Sequence, residues 1–165
     1  MNLKRIILTS LLITWMIVIF MFSNQNATKS ESTSDKVTST VIDTVEVVTK
    51  EEITEDKKEV LIEDTRFVVR KTAHFTLYFI LGVLTYLTLK SYSIKKIVIF
   101  SILLCFIYSC SDEIHQMFLD GRTAKILDIF IDTIGSIVGI SLCIIICKLK
   151  SKYNNSKTHK DSLMI

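Results

Sequence analysis

Ionisable residues set inside long apolar runs are the feature of this sequence best placed to do chemistry. His74 stands at the start of one such run, Asp112 and Glu113 late in another, and Asp132 early in a third. A charged side chain at mid-bilayer costs about 2.5–3.5 kcal/mol on insertion scales, so residues of this kind tend to mark function. Each can be counted from the lysine-bearing end of its own run at the helical rise. His74 then lies about 24 Å from Lys90, Asp112 about 22 Å from Ile97 and Asp132 about 24 Å from Lys148. Three runs thus bring ionisable groups to one height, about 6–8 Å inside the outer boundary of a hydrocarbon core about 30 Å thick.

More polar residues share the same helix faces. Lys71, His74 and Tyr78 are spaced three and four apart, as are Asp128, Asp132 and Gly135 in reverse order; Gln116 is four from Asp112 and three from Glu113. Arg70 and Arg122 fall at the outer interface, where a guanidinium pairs bidentately with carboxylates, phosphates or lipid headgroups. The pattern predicts a polar pocket opening to the outside. Its candidate catalytic groups are His74, Asp112 and Glu113, because an Asp–Glu pair in low dielectric does not readily hold two charges and one member would keep a proton to donate. Its candidate binding residues are Arg70, Lys71, Tyr78, Gln116, Arg122, Asp128 and Asp132. A histidine with several carboxylates could hold a divalent ion, but no local ligand motif supports one, so neither metal nor cofactor is expected. Nucleophile elbow, phosphate loop and HExxH signatures are all missing from the sequence.

Helices must carry these residues. The 165-residue chain is 49% hydrophobic, and the apolar residues gather into Ile6–Phe22, Thr72–Leu89, Ile97–Phe118 and Ile129–Cys147. A soluble domain interleaves apolar and polar residues at the helix or strand period. Continuous runs near 20 residues match the bilayer instead. The composition excludes a soluble enzyme, a disordered chain and a disulfide-stapled secreted domain. Cys105, Cys110, Cys143 and Cys147 all lie within apolar runs and read as small packing residues. The expected fold is an all-α integral membrane bundle of four transmembrane helices.

Charge gives the orientation. The amino terminus before the first run, the loop between the second and third, and the tail hold ten Lys or Arg against the single acid Asp161, whereas Ser23–Lys71 holds eight basic against eleven acidic residues. Short Lys- and Arg-rich loops stay in the cytoplasm. Four spans with both termini inside satisfy that rule at every loop, and the basic tail (148–165) needs no nucleic-acid partner. The first run has a basic start, but Met21-Phe22-Ser23-Asn24 is no small-x-small cleavage site, so it reads as a retained anchor. Residues 23–71 form the extracytoplasmic insertion. Val37, Val41, Val45 and Val48 mark one helix face, Thr49 and Glu52 fit a capping box, and Ile53, Val60, Leu61, Phe67 and Val68 continue an apolar stripe. A pair of amphipathic helices is expected there. Gly135 and Gly139 give a small-xxx-small packing face on the last span.

Two stretches carry a family resemblance. Arg70-Lys71-Thr72-Ala73-His74-Phe75 with Tyr78, Leu81 and Gly82, and Ser111-Asp112-Glu113-Ile114-His115-Gln116-Met117-Phe118 with Gly121-Arg122, Asp128, Asp132, Gly135 and Gly139, resemble the two motifs of VanZ-like membrane proteins. Phe22-Ser23 at the exit of the first span is also similar. The family pattern has Asn where this chain has Asp132, which adds an acid to the pocket. The resemblance implies a bacterial plasma-membrane protein associated with tolerance of teicoplanin-type lipoglycopeptides; it does not imply a reaction.

Four readings follow. The pocket binds or shields a lipid or lipid-linked envelope component against a lipid-tailed antibiotic; or it modifies such a substrate by acid–base chemistry; or the charges form an ion-pair network that fixes helix register; or the bundle transports a solute. Transport is the weakest, since no charged residue stands in the inner half of a span to complete a relay. Binding or shielding leads, with membrane lipids, a lipid-linked envelope component or the lipoglycopeptide as partners.

Overall fold

Helix α1 (Leu3–Ser23) carries Lys4 and Arg5 in its first turn and is otherwise nearly all apolar. The computed structural model of the protein describes residues 3–24, 40, 55–118 and 126–162. Helices α2 (Glu55–Ser91), α3 (Ile97–Gln116) and α4 (Ile126–Ser162) complete the described elements. All four are long and apolar enough to cross a membrane, which agrees with the all-helical, four-span expectation.

The exterior of the bundle is apolar: Ile13, Ile17, Phe106, Ile107, Ile134 and Ile145 all point outward. In water such a surface would aggregate; in a bilayer, lipid tails solvate it. Two cores lie inside. Leu12, Ile19, Tyr78, Leu81 and Cys105 join α1, α2 and α3, while Tyr86, Ile140 and Cys143 join α2 to α4, with Ile97, Val98 and Ile102 of α3 packed against them. Helix α2 is common to both and packs against every other helix; among the described residues α1 and α4 do not meet.

The helices alternate in direction. At one end the Arg5 guanidinium Nε donates to the Ser91 carbonyl at 2.9 Å and sits over the Tyr92 ring, and Lys90 reaches Cys147. At the other, Gln116 reaches Ser23 and Lys71 pairs with Asp128. Both ends of the chain therefore leave the bundle on one side, the side bearing Arg5, Lys90, Lys95 and Lys96. With little hydrophobic gain available between helices in lipid, packing and interhelical hydrogen bonds hold the bundle. Trp15 Nε1 donates to the Leu77 carbonyl at 2.9 Å and Tyr108 Oη to the Met16 carbonyl at 2.6 Å. Trp15, in the middle of the first apolar run, thus ties α1 to α2.

Glycines set the closest crossing. A Cβ added at Gly135 would come within 2.6 Å of the Phe75 carbonyl oxygen, and one at Gly139 or Gly82 would strike the backbone of Phe79 or Ser136. The predicted small face on α4 meets α2 backbone to backbone, joined by a glycine on α2 itself.

Two boundaries differ from expectation. The second span is the last part of a helix that begins at Glu55, so residues 55–71 continue the span instead of forming a separate helix. The basic tail after the fourth apolar run continues the last helix to Ser162. No proline interrupts either stretch. Each of these helices has 37 residues, about 55 Å of rise, and so overruns the hydrocarbon core. The valine stripe at residues 37–48 and the capping box at Thr49 lie outside the described residues.

Candidate functional site

The site forms at the end where α2 and α4 start and where α1 and α3 finish. His74 is one turn after Lys71 on α2; Asp112, Glu113 and Gln116 occupy the last turns of α3; Asp128 and Asp132 occupy the first turns of α4. The close α2–α4 crossing at Gly135 brings His74 beside Asp132, and α3 closes the group with Asp112.

One ligand-type atom from each of His74, Asp112 and Asp132 lies within 4.8 Å of the other two. Asp112 and Asp132 are almost fully enclosed, at 4% and 2% exposure, and the His74 side chain retains 16%. Each carboxylate is held through one oxygen. Ser109 Oγ donates to Asp132 Oδ2 at 3.0 Å, and Gln116 Nε2 donates to Asp112 Oδ2 at 3.2 Å and to Ser23 Oγ at 2.8 Å. Among the described residues the other oxygens, Oδ1 of Asp112 and of Asp132, have no hydrogen-bond partner, and neither has Nδ1 of His74. His74 Nδ1 stands 3.5 Å from Asp132 Oδ1, close enough for charge attraction but without hydrogen-bond geometry. Buried polar groups are nearly always hydrogen-bonded in folded proteins, so three atoms without a hydrogen bond among the described residues, on three side chains whose ligand-type atoms cluster, mark a place for something else.

The remaining predicted residues divide. Tyr78, one turn deeper than His74, is wholly enclosed, and its hydroxyl is buried with no partner meeting hydrogen-bond geometry among the described residues, although Ser109 is its neighbour. It floors the cluster. Lys71 forms an ion pair with Asp128 at the mouth and lies over the Phe67 ring. Glu113 and Gln116 are buried. Arg70 is half-buried one residue before Lys71. Arg122, with Gly121, lies outside the described residues. His115 stays out of the cluster, stacking on Phe20 and meeting Asn24 Oδ1 at 3.3 Å.

Two contributors were missed. Ser109 orients Asp132, and Ser136, fully enclosed, bonds the carbonyls of Tyr78 and Asp132. Their signal was spacing: Ser109 is three residues before Asp112 and Ser136 four after Asp132. A lone serine in an apolar run ordinarily bonds its own helix, and that hid them.

Breaking the Lys71–Asp128 pair tests its role at the mouth. Removing one partner of a buried pair costs about 3–5 kcal/mol. With the two side chains 10% and 14% exposed, Lys71→Met is expected to cost up to about 3 kcal/mol. Adding Asp128→Leu should restore most of that loss. A double variant as unstable as the sum of the singles would show that the pair is not coupled.

The fold and site define a multi-pass, all-helical membrane protein with a polar cluster built into one end. The VanZ/LLP1 family model matches residues 8–147, and the chain belongs to that family. No curated protein and no solved structure matches it significantly.

Proposed function

We propose that the protein binds the polar end of a lipid or lipid-linked cell-envelope component at the His74–Asp112–Asp132 cluster, on the outer face of a bacterial plasma membrane, and shields it from lipid-tailed glycopeptides of the teicoplanin type. The observation that carries this reading is the set of buried polar atoms that, among the described residues, have no hydrogen-bond partner, at one end of an apolar bundle. A lipid is the ligand best able to reach that place, because its tails can lie along the apolar flank while its head turns inward. The lysine-rich opposite end supports an outward-facing cluster, since positive loops stay in the cytoplasm. Arg70, Lys71 and Asp128 then form the mouth, Gln116 and Tyr78 position and floor the cluster, and Arg122 precedes α4 in the sequence.

A second reading has its own support. The imidazole of His74 facing Asp132 at 3.5 Å resembles an acid–base pair, and Asp112 with Glu113 offers a further proton carrier. The experiment that separates the two compares lipids and wall fragments of cells with and without the gene, alongside teicoplanin susceptibility. Shielding predicts altered susceptibility with unchanged lipids and wall, lost in the Asp112→Asn, Asp132→Asn double variant although that protein still reaches the membrane. A changed lipid or wall species establishes an enzyme instead. Unchanged chemistry with unchanged susceptibility overturns both.

A further inference from the structure

We infer that His74, Asp112 and Asp132 form a binding site for one divalent transition-metal ion, of which Zn²⁺ is the best fit. The inference names a cofactor for the cluster proposed above as a lipid-headgroup site, and it rests on that cluster's geometry.

Three independent features point to a cation. The first is the donor set. One imidazole and two carboxylates from three different helices lie within 4.8 Å of each other, and three protein ligands with an open fourth position is the arrangement of reactive zinc sites. The second is spacing. Ligands bonded to one ion at about 2.0–2.2 Å stand about 3.0–3.5 Å from each other; His74 Nδ1 is already 3.5 Å from Asp132 Oδ1, and an Asp112 ligand atom, within 4.8 Å of the other two, would close in on a bound ion. The third is the unpaired atoms. Asp112 and Asp132 are each more than nine-tenths buried, yet among the described residues Oδ1 of both and Nδ1 of His74 have no hydrogen-bond partner.

Ser109 and Gln116 strengthen the case. Each donates to the Oδ2 oxygen of one carboxylate and leaves Oδ1 available, and hydrogen bonds of this kind orient metal ligands. Charge agrees as well. A doubly positive ion offsets the charge of two enclosed carboxylates. The donor set also selects among ions: the imidazole favours zinc over magnesium or calcium, and the absence of thiolate from the cluster disfavours copper(I). A cation would give an otherwise acidic pocket an open position for an anionic headgroup.

The test uses the full-length chain in detergent, stripped with a chelator, reloaded with Zn²⁺ and desalted before elemental analysis. About one ion per chain is expected, and Asp112→Asn, Asp132→Asn and His74→Gln should each weaken Zn²⁺ binding by about 10–100-fold or more. Ser111→Ala, at an exposed neighbour of Asp112, should bind normally. Should a variant fail to fold, Co²⁺ loaded into the unaltered chain decides. A visible absorption band of a low-coordinate site supports the inference, and a spectrum identical to Co²⁺ in buffer overturns it. Unaltered protein that retains no Zn²⁺, or variants that bind as well as it does, also overturn it. Neither antibiotic nor lipid enters the measurement. Absent metal with intact antibiotic tolerance removes this inference alone, and bound metal without any tolerance phenotype removes shielding alone.

Discussion

Gly139→Leu is expected to separate α2 from α4 and to cost more than about 3 kcal/mol, the upper range of ordinary overpacking in a well-packed core. A Cβ there would strike the Phe79 carbonyl oxygen and approach Val83 Cγ2 at 3.3 Å. Val83 can turn aside, but the Phe79 carbonyl is main chain in the middle of a helix and cannot. Relief requires the two helices to move apart, and the hydrogen bond from Ser136 to the Tyr78 carbonyl stretches with them. So does the approach of His74 to Asp132, whose residues belong to these same two helices. The midpoint of thermal unfolding in detergent should fall steeply, and ligand or metal binding should fail even in the fraction that stays folded. Trp15 is the sole tryptophan and donates to the Leu77 carbonyl, so its emission reports whether the α1–α2 half survives. An unchanged midpoint would mean that the crossing is looser than the structure has it.

The second large effect is all-or-none. In a background with Cys105, Cys110, Cys143 and Cys147 replaced by alanine, cysteines introduced at Ser30 and Asp120 should react with a membrane-impermeant maleimide on intact cells. Cysteines introduced at Ser93 and Ser151 should react only after the membrane is opened. Arg5, Lys90, Lys95 and Lys96 gather at the end opposite the cluster, and Lys148 follows immediately after Cys147 on α4. Moving that charge across the bilayer is the cost that orients the chain. The reverse labelling pattern would turn the cluster toward the cytoplasm and end the shielding proposal.

Much of this was legible in the residues themselves. Apolar runs of bilayer length dictate helices, because a backbone in lipid must satisfy its own hydrogen bonds. Counting the rise along each run placed His74, Asp112 and Asp132 at one depth, and in the structure those three converge. Depth, however, says nothing about rotation around a helix axis. Only the packed structure decided that Asp132, and not the neighbouring pair member Glu113, completes the group with His74 and Asp112, that Ser109 crosses to α4 to hold it, and that Tyr78 closes the floor. A metal looked improbable from the sequence because its ligands are 20 and 38 residues apart, and no local spacing can signal a site that three helices assemble. The sequence by itself determined the spans, their order and their charge asymmetry, since these follow from how each segment partitions between water and lipid. The rotation and contact of each helix were decided by tertiary packing, where glycine-to-backbone fit at Gly82, Gly135 and Gly139 sets how closely α2 and α4 approach and which side chains they bring together.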